Sequence, residues 1–447
     1  MKVTFIMPAI GKIPGKRYIK SWKVMEPLPI MHMKALTPPD IETEFFDDRI
    51  ELVDYDTRTD LVAISCETYT SRRAYHIAAQ FKERGIPVVM GGYHPTLIPE
   101  EVTQHADSIL IGNAEGVWPT MLEHAKQGKL QKIYHGAPGY GPTPAIPDRS
   151  ILKDKHYSGI GLVETGRGCC FNCEFCAITK YYDRCYYPRA IQRVVEDVAN
   201  ADMPFYFFVD DNFVANQRYA IDLCRALEPL KIQWSGQGSL TMARNRELLR
   251  AMRRSGCEVI LIGFESLDET NLKQMNKQWM LGLGDRKELV QAIHDEGISI
   301  YSTFVFGNDN DTPESFDRAL EFSLENRFFY SAFNHITPFP ATPLFERLRQ
   351  ENRLLTDKWW LDPEYRYGTL PFHPKRMSYQ EVTDRCAQAR RDFYSYSSIF
   401  NRLFTLASRN FNLKMLVGYL ASNWMVQKEI DIRLNLPMGS NLDELPK

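Results

Sequence analysis

Short apolar runs alternate with longer amphipathic stretches along the first third of this 447-residue chain. Apolar runs of strand length that end in turn-forming residues predict buried strands, and apolar residues spaced three to four apart predict helices. The runs that predict strands lie at residues 2–7, 41–46, 61–66, 87–90 and 108–111, and a helical stretch lies at 72–84. This order predicts a doubly wound, Rossmann-like parallel sheet over residues 1–145.

A second alternation of strands and helices occupies residues 146–350. Its strand-like runs lie at 162–165, 205–209, 231–234, 259–263, 298–306 and 333–337, and its clearest helices lie at 216–227 and 245–254. The proline-rich stretch 136–147 separates the two regions, and proline continues neither a helix nor a central strand, so this stretch predicts an interdomain linker.

The remaining region, residues 351–447, is predicted to be mainly helical. Residues 378–394 predict one helix with Ser378 as its N-cap. Residues 398–424 combine large apolar side chains with Arg402, Arg409 and Lys414 and contain no acidic residue. Two interpretations stay open, because a basic amphipathic helix of this kind lies on a membrane surface or packs over the open side of the second region.

Small and polar residues follow three strands of the first predicted sheet. In an open α/β sheet, ligands bind outside the carboxyl ends of the strands, so these loops are expected to line one pocket. Glycine at 91 and 92 allows the backbone to approach a ligand closely. The candidate binding residues in these loops are Ser65, Thr68, Gly91, Gly92, His94, Gly112 and Glu115.

Charge and cysteine content narrow the class of protein. The formal net charge of −2, from 54 basic and 56 acidic residues, gives no electrostatic case for a nucleic-acid partner. Nine unevenly spaced cysteines do not form a disulfide framework and are typical of a reducing compartment. The N-terminus has no signal peptide pattern and no segment approaches about 20 uninterrupted apolar residues, so we predict a cytoplasmic protein without a membrane span.

One cysteine cluster carries the clearest chemistry. Cys169, Cys173 and Cys176 have the spacing Cys-x3-Cys-x2-Cys just after an apolar, strand-like run. Three thiolates can hold three irons of a [4Fe–4S] cube and leave the fourth iron open. A zinc site usually takes four protein ligands, and no second cysteine pair lies near enough in sequence. Cys170 leaves the register open, because Cys170-x2-Cys173-x2-Cys176 is also present.

The segment from Gly166 to Cys176 resembles the signature loop of the radical S-adenosylmethionine (SAM) enzymes. The resemblance implies that Cys169, Cys173 and Cys176 hold the cluster, that Cys170 is a packed thiol, and that the open iron binds SAM. It further implies that an electron from the cluster cleaves SAM to a 5′-deoxyadenosyl radical inside a partial (β/α)6 barrel. The residues expected to contact SAM are Phe175, Asp210, Asp211, Gln237, Glu265, Ser266 and Gly307.

The first region is similar to the cobalamin-binding domain of one large class of these enzymes, notably at residues 85–96. The resemblance implies that the seven loop residues named above hold cobalamin. This chain lacks the Asp-x-His-x-x-Gly motif through which some cobalamin domains supply a histidine to cobalt. His76, predicted on a helix, and His94, predicted in a turn, are the histidines near the loops, and neither is assigned as a cobalt ligand. An empty or regulatory Rossmann-like module is the alternative.

Several single residues have two interpretations. Asp210 and Asp211 are expected to contact SAM or to cap the following helix. Phe175 is expected to pack against the adenine of SAM or simply to be buried. Arg167 is expected to pair with an anion or to lie on the surface.

Three functions follow from the resemblance and the loops. The preferred one is methylation of an unactivated carbon, or of a phosphinate phosphorus, in which one SAM methylates cobalamin and a second gives the radical. The second is an anaerobic oxidative cyclisation or ring rearrangement of a large hydrophobic substrate, such as a tetrapyrrole or a polycyclic lipid. The third is a non-catalytic iron–sulfur redox sensor. The expected partners of the enzyme are a small-molecule or lipid-like substrate and a low-potential electron donor such as flavodoxin or ferredoxin.

Overall fold

The computed structural model describes residues 1–11, 24–140, 145–407, 413–434 and 436–439. Two six-stranded parallel sheets with flanking helices make up most of this part of the chain. The fold class is therefore the predicted one, a Rossmann-like sheet followed by a partial barrel and C-terminal helices. The boundaries at residues 145 and 350 stay predictions.

The first sheet has the strand order β2-β1-β3-β4-β5-β6. Its strands are β1 (Lys2–Met7), β2 (Glu42–Asp47), β3 (Leu61–Ser65), β4 (Val88–Gly91), β5 (Ser108–Ile111) and β6 (Ile133–His135). Its helices are α1 (Leu28–Leu36), α2 (Ser71–Glu83), α3 (Tyr93–Leu97), α4 (Pro99–Val102) and α5 (Trp118–Lys126). The winding direction reverses between β1 and β3, and such a reversal opens a crevice at the carboxyl ends of the strands.

The second sheet has the order β14-β13-β12-β11-β10-β7, and every neighbouring pair in it is parallel. Its strands are β7 (Ile160–Val163), β10 (Phe205–Phe208), β11 (Trp234–Gly238), β12 (Cys257–Glu265), β13 (Ser299–Phe306) and β14 (Tyr330–His335). A short antiparallel hairpin, β8 (Gly166–Gly168) with β9 (Tyr186–Pro188), stands beside it. The helices of this region are α6 (Ala177–Tyr182), α7 (Ile191–Ala201), α8 (Gln217–Leu227), α9 (Arg246–Arg254), α10 (Glu269–Gln274), α11 (Arg286–Asp295), α12 (Pro313–Glu325) and α13 (Pro343–Gln350).

Alternation along the barrel strands separates an outer, helix-covered face from an inner face. In β13, Phe304 and Phe306 are buried in the core with Phe316 of α12, whereas Tyr301 and Val305 on the other face line a cavity. The inner faces of the strands therefore surround a space inside the barrel.

Two barrel strands have boundaries that differ from the predicted ones, and this changes the positions of Gln237 and Glu265. The third run was expected at 231–234, but Lys231 adopts φ +51° in a turn, so β11 begins only at Trp234 and Gln237 lies within the strand. The fourth run was expected to end at residue 263, but β12 continues to Glu265.

The C-terminal region contributes α14 (Tyr379–Phe393), α15 (Tyr396–Ala407), α16 (Leu413–Arg433) and the small pair β15 (Arg366–Tyr367) with β16 (Leu436–Pro437). The predicted N-cap is confirmed, because the Ser378 hydroxyl accepts a hydrogen bond from the Glu381 N–H at 3.1 Å.

Helices α15 and α16 pack on the barrel. Arg402 is 1% exposed and donates to the carbonyls of Phe328 and Phe329 at 2.9 and 3.1 Å, so it does not belong to a basic surface face. Tyr330 on the inner face of β14 donates to Ser422 of α16. Arg409 lies outside the described residues. No helix in the described part of the chain is both long and apolar enough to cross a membrane.

Candidate functional site: a cysteine loop between two cavities

The cysteine loop begins directly after β8. Gly168 has φ +85°, and a Cβ there would stand 2.2 Å from the carbonyl oxygen of Cys185, so only glycine fits before Cys169. Cys169, Cys173 and Cys176 are half-buried free thiols, whereas Cys170 is exposed. The Asn212 side-chain amide lies 3.6 Å from the Cys169 sulfur and donates to it. Three partly enclosed thiols with one exposed neighbour fit the predicted register.

Three thiols make up the proposed donor set of this loop. Each can bind a different iron of a [4Fe–4S] cube, which leaves the fourth iron open. Among the residues that the structure describes, no group of three or more His, Cys, Asp or Glu side chains is arranged to hold one metal ion. The cluster and zinc interpretations of the loop stay predictions.

Two carboxylates hold the segment before the first cysteine. Asp210 is buried and accepts hydrogen bonds from the N–H of Thr165, at 2.7 Å, and from its hydroxyl. Asp211 accepts from the N–H of Gly168 at 2.9 Å. Burial raises the pKa of Asp210 to about 7 and that of Asp211 to about 6. The helix-capping interpretation is wrong, because Asn216 caps α8.

Glu174, between the second and third cysteines, connects the cysteine loop to α13, the last helix of the barrel region. Glu174 accepts two hydrogen bonds from Arg347 of α13, at 2.6 and 3.1 Å, and its carbonyl accepts from the N–H of Leu344 at 3.1 Å. Arg347 also pairs with Asp309 at 3.2 Å. Sequence analysis missed the Glu174–Arg347 pair, since the two residues lie 173 positions apart and share no local pattern.

A buried ion pair lies next to the second cysteine. Lys277 Nζ donates to Glu265 Oε1 at 2.8 Å and to the carbonyl of Gly263 at 3.1 Å. Burial raises the pKa of Cys173 to about 12, and the nearby Lys277 ammonium opposes that rise. Trp279, two residues further on, stacks on Phe171 of the cysteine loop with ring centroids 4.1 Å apart. Lys277 was not a sequence candidate.

The other residues expected to contact SAM occupy different positions. Gln237 is half-buried in β11, one residue beyond the buried Gly236. Glu265 adopts φ +61° at the end of β12, and one of its oxygens is held by Lys277. The Ser266 hydroxyl accepts from the N–H of Asp268 at 3.1 Å in the turn before α10, and the N–H of Gly307 donates to Asp311 at 2.9 Å. Contacts between these residues and SAM stay predictions.

The first cavity, of about 480 Å³, lies between the carboxyl ends of the first sheet and the cysteine-bearing segment. Five of the seven predicted loop residues line it, namely Ser65, Gly91, Gly92, Gly112 and Glu115. Sequence analysis missed other lining residues, among them His32, Tyr93, Asn113 and Trp118.

Thr68 and His94 do not line this cavity. The short helix α3 turns His94 into the core, where it is fully buried and bonds to Thr68 at 3.2 Å, Tyr75 at 3.0 Å and Glu101 at 3.2 Å. The prediction of a corrinoid contact by His94 is therefore corrected, and Thr68 serves as its hydrogen-bond partner. His76 lies on the exposed side of α2.

Arg167 closes the first cavity on the side of the barrel. Its guanidinium pairs with Glu115 at 2.8 Å and with Glu164 at 2.9 Å, and lies 4.4 Å from the centre of the Tyr140 ring. The anion-pairing interpretation is thus confirmed, with both anions supplied by the protein. Because Glu115 follows β5 and Arg167 precedes the cysteines, the pair joins the two sheets at the cavity wall.

The second cavity, of about 630 Å³, lies on the inner face of β13 and β14 under α16. Tyr69 of the first region reaches it and bonds to Thr337 at 3.0 Å. Phe175, the neighbour of the third cysteine, also lines it. The segment 167–182 therefore contributes to both cavities, with Arg167, Tyr181 and Tyr182 facing the first and Phe175 the second.

Comparison with known sequences identifies the central part of the chain. Residues 163–323 match the Radical SAM superfamily. The chain is 29% identical over 400 residues to the bacteriochlorophyllide d C-12(1)-methyltransferase of Chlorobaculum tepidum, covering 86% of each chain. It is 27% identical to the C-8(2)-methyltransferase of the same organism, over 85% of this chain and 91% of that one. It is 24% identical to the anaerobic magnesium-protoporphyrin IX monomethyl ester cyclase of Cereibacter sphaeroides, over 80% and 63%.

Comparison with solved structures concerns the fold. OxsB, a cobalamin-dependent SAM radical enzyme, matches with a TM-score of 0.66 at 14% identity over 96% of this chain and 72% of that one. TsrM, a radical SAM methyltransferase from Kitasatospora setae, matches with a TM-score of 0.60 at 15% identity over 78% of each chain. These matches confirm the predicted fold class, and the family match at residues 163–323 confirms the predicted radical SAM domain.

Proposed function

Since this chain carries a radical SAM domain and is homologous over most of its length to radical SAM methyltransferases and cyclases, we propose that it is a cobalamin-dependent radical SAM methyltransferase. Its substrate is a small molecule with a large, mainly apolar ring system, methylated at an unactivated carbon. The observation that carries the proposal is the position of the cysteine loop between two cavities, one at the strand ends of the Rossmann-like sheet and one inside the barrel.

The cysteine loop is the proposed cluster site. Cys169, Cys173 and Cys176 hold the [4Fe–4S] cluster, and the first cavity holds the corrinoid. When bound, the cluster with SAM supplies a hydrogen-abstracting radical, and the corrinoid supplies the methyl group. The chain's own residues position these groups, exclude water and orient the substrate.

The first cavity suits a large, amide-bearing ring. Its sheet-side wall is mainly apolar. Gly92 lines it with φ +111°, and a Cβ there would stand 2.8 Å from the carbonyl oxygen of Cys66, so this turn at the cavity favours glycine. Glu115 and Glu164 share the Arg167 guanidinium at the wall, so the positive charge of that guanidinium is compensated where a neutral or amide-bearing ligand would lie. Ser65, Gly91 and Gly112 complete the strand-end contacts that we assign to the corrinoid.

For SAM, we propose a site on the inner side of the barrel between the cysteine loop and the strands. Phe175 and Gln237 are the predicted residues best placed for direct contact, and Glu265, with Lys277 beside it, is a third. Asp210 and Asp211 act through the loop that they hold, and Ser266 and Gly307 act through the turns after β12 and β13.

The second cavity is the proposed substrate site. Seven of its twenty described lining residues are Phe or Tyr, and large aromatic surfaces bind flat or polycyclic apolar molecules. Polar groups enter from Asn334, His335, Arg390 and Glu429 and can fix the orientation of a ring. The C-12(1) and C-8(2) methyltransferases act on bacteriochlorophyllide d, which supports a tetrapyrrole as the substrate class.

We assign α16 the role of covering this cavity, since its C-terminal half supplies Val426, Glu429 and Ile430 to the lining. Peripheral membrane contact is the alternative role, and the exposed side chains Tyr396, Phe400, Val417 and Trp424 favour it. The burial of Arg402 opposes it, because the basic component expected of a membrane-surface helix is reduced. Sedimentation with anionic lipid vesicles distinguishes the two, and the covering role predicts that the protein stays in the supernatant.

Oxidative cyclisation is the second candidate, favoured by the homology to the Cereibacter sphaeroides cyclase. The same cavities serve that reaction, but no methyl group reaches the product. A non-catalytic sensor has no use for a 630 Å³ cavity beside the cysteine loop.

The experiment uses the full chain, reconstituted anaerobically with iron, sulfide and hydroxocobalamin. It is incubated with SAM that carries a deuterated methyl group, a low-potential reductant and tetrapyrrole acceptors such as bacteriochlorophyllides. Methylation predicts deuterium in the tetrapyrrole product by mass spectrometry. A product with a new ring and no deuterium supports the cyclase, and SAM cleavage without any modified tetrapyrrole rejects this substrate class.

A further inference from the structure

One histidine of the first cavity has no hydrogen-bond partner in the described part of the chain. His32 lies on α1, is 9% exposed, and lines the cavity. Both Nδ1 and Nε2 are buried, and neither has a partner among the described residues. Buried polar atoms in native proteins are nearly always hydrogen-bonded, so a ring with two unpaired nitrogens needs an explanation.

The surroundings of His32 keep it neutral. Burial, with smaller contributions from Arg167 and Arg189, lowers its pKa to about 3, and Glu115 and Asp197 act in the opposite direction. A neutral imidazole has one N–H donor and one nitrogen lone pair, and neither is used by a group in the part of the chain that the structure describes. Leaving such a group buried and unpaired destabilises the free protein.

A purely structural role does not account for this arrangement. His94, in the same region, is also buried but uses both ring nitrogens in hydrogen bonds to Thr68, Tyr75 and Glu101. His32 instead faces the space next to the Glu115–Arg167 pair, where the wall of the barrel region meets that of the first sheet. The partner that satisfies the ring is therefore expected to be the molecule that fills the cavity.

We propose that His32 is a direct contact of the bound corrinoid through a ring nitrogen. This inference rests on the proposed function. A neutral imidazole can serve in two ways, as a hydrogen-bond partner of a corrin side-chain amide or as a nitrogen ligand of cobalt, and both use the same unpaired atoms. Sequence analysis considered His76 and His94 and missed His32, which lies well outside the strand-end loops.

The test compares His32→Leu with the wild-type full chain. Binding of hydroxocobalamin is followed by absorbance titration, and melting of the corrinoid-free protein and its iron content are measured alongside. Met31→Leu is the matched control, because Met31 precedes His32 on the same helix, is buried in a small apolar cluster rather than in the cavity wall, and this exchange nearly conserves volume. We expect His32→Leu to weaken corrinoid binding about tenfold or more, with unchanged iron content. The corrinoid-free variant should melt at the wild-type temperature or above it, since an unpaired polar group has been removed.

The possible results distinguish a failure of the His32 contact from a failure of the proposed function. Unchanged affinity of His32→Leu overturns the inference while the proposed function stands. Lower melting temperature of the corrinoid-free variant also overturns it, because that result shows a structural histidine. A wild-type protein that takes up no corrinoid contradicts the proposed function itself. Electron paramagnetic resonance of the cobalt(II) form then identifies the contact, since nitrogen superhyperfine splitting that disappears in His32→Leu indicates coordination. Recovery of affinity in His32→Gln without that splitting indicates a hydrogen bond.

Discussion

Glu174, between the second and third cysteines of the loop, accepts two hydrogen bonds from Arg347, at 2.6 Å to Oε1 and 3.1 Å to Oε2. The side chains are 11% and 26% exposed, so the pair is largely shielded from water. Paired guanidinium–carboxylate bonds are strong and fix the relative orientation of both groups. The last helix of the barrel thus sets the position of the segment that carries two of the proposed cluster ligands.

Removing the arginine should loosen the cluster loop. We predict that Arg347→Ala leaves the Glu174 carboxylate without its main partner, lowers unfolding stability by about 1–3 kcal/mol, and reduces the iron retained after reconstitution. Arg349→Ala is the matched control, because Arg349 lies two residues beyond on the same helix and pairs with Glu346 in a more exposed position. Equal iron retention in Arg347→Ala and Arg349→Ala would show that the Glu174–Arg347 pair does not stabilise the cluster site.

The cysteine register gives a second prediction. Cys173→Ala should abolish the absorbance of the cluster and all SAM cleavage, because the loss of one of three ligands opens the cube. Cys170→Ala should keep both, since Cys170 is exposed while the three assigned thiols are half-buried. Loss of the cluster in Cys170→Ala, with retention in Cys169→Ala, would move the register by one residue.

The ion pair between Glu115 and Arg167 should matter for both stability and corrinoid uptake. Glu115→Gln removes one of the two carboxylates that neutralise a guanidinium only 10% exposed. We expect a lower melting temperature and weaker hydroxocobalamin binding, because Glu164 still pairs with the arginine but a charge-assisted hydrogen bond to the buried guanidinium is replaced by a weaker one to a neutral amide. Glu123→Gln, which changes an exposed pair on α5, serves as the control. Wild-type affinity in Glu115→Gln would exclude the pair from the corrinoid site.

The dependence of stability on acid pH tests the buried, neutral state of His335 beside the second cavity. Burial and then Arg390 lower the pKa of His335 to about 3, from the ordinary 6.5, and neither of its ring nitrogens has a partner among the described residues. Below pH 6.5, His335 binds a proton in the unfolded chain but stays neutral in the folded chain down to about pH 3. The free energy of unfolding is therefore unaffected by this histidine above pH 6.5. Below that pH, the histidine lowers it by about 1.4 kcal/mol per pH unit, down to about pH 3. His335→Phe should flatten the slope of unfolding free energy against pH by that amount. An unchanged slope would contradict the buried, neutral state of this histidine.

Local patterns were sufficient for much of the fold. The runs at residues 2–7 and 108–111 coincide with β1 and β5, since a continuous apolar run bounded by polar residues has few alternatives in an α/β chain. The third barrel strand was misplaced because Lys231 adopts a left-handed conformation, for which the sequence around it gives no glycine signal.

The site was only partly predictable for a different reason. The cysteine spacing is local and was found, as were the glycines at the strand ends. Glu174 and Arg347, or Lys277 and Glu265, meet only when distant segments pack together, and no spacing rule relates them. His94 was misassigned because the orientation of a side chain in a short helix depends on the core that receives it. His32 was missed because nothing in its neighbours distinguishes a cavity histidine from a packed one.

The most direct test of the account is anaerobic reconstitution with iron, sulfide and hydroxocobalamin, followed by absorbance spectra and detection of 5′-deoxyadenosine after addition of SAM and a low-potential reductant. The account predicts that the protein holds both a cluster and a corrinoid and that it releases 5′-deoxyadenosine. A protein that cleaves SAM but takes up no corrinoid would contradict the assignment of the first cavity and, with it, methyl transfer through cobalt.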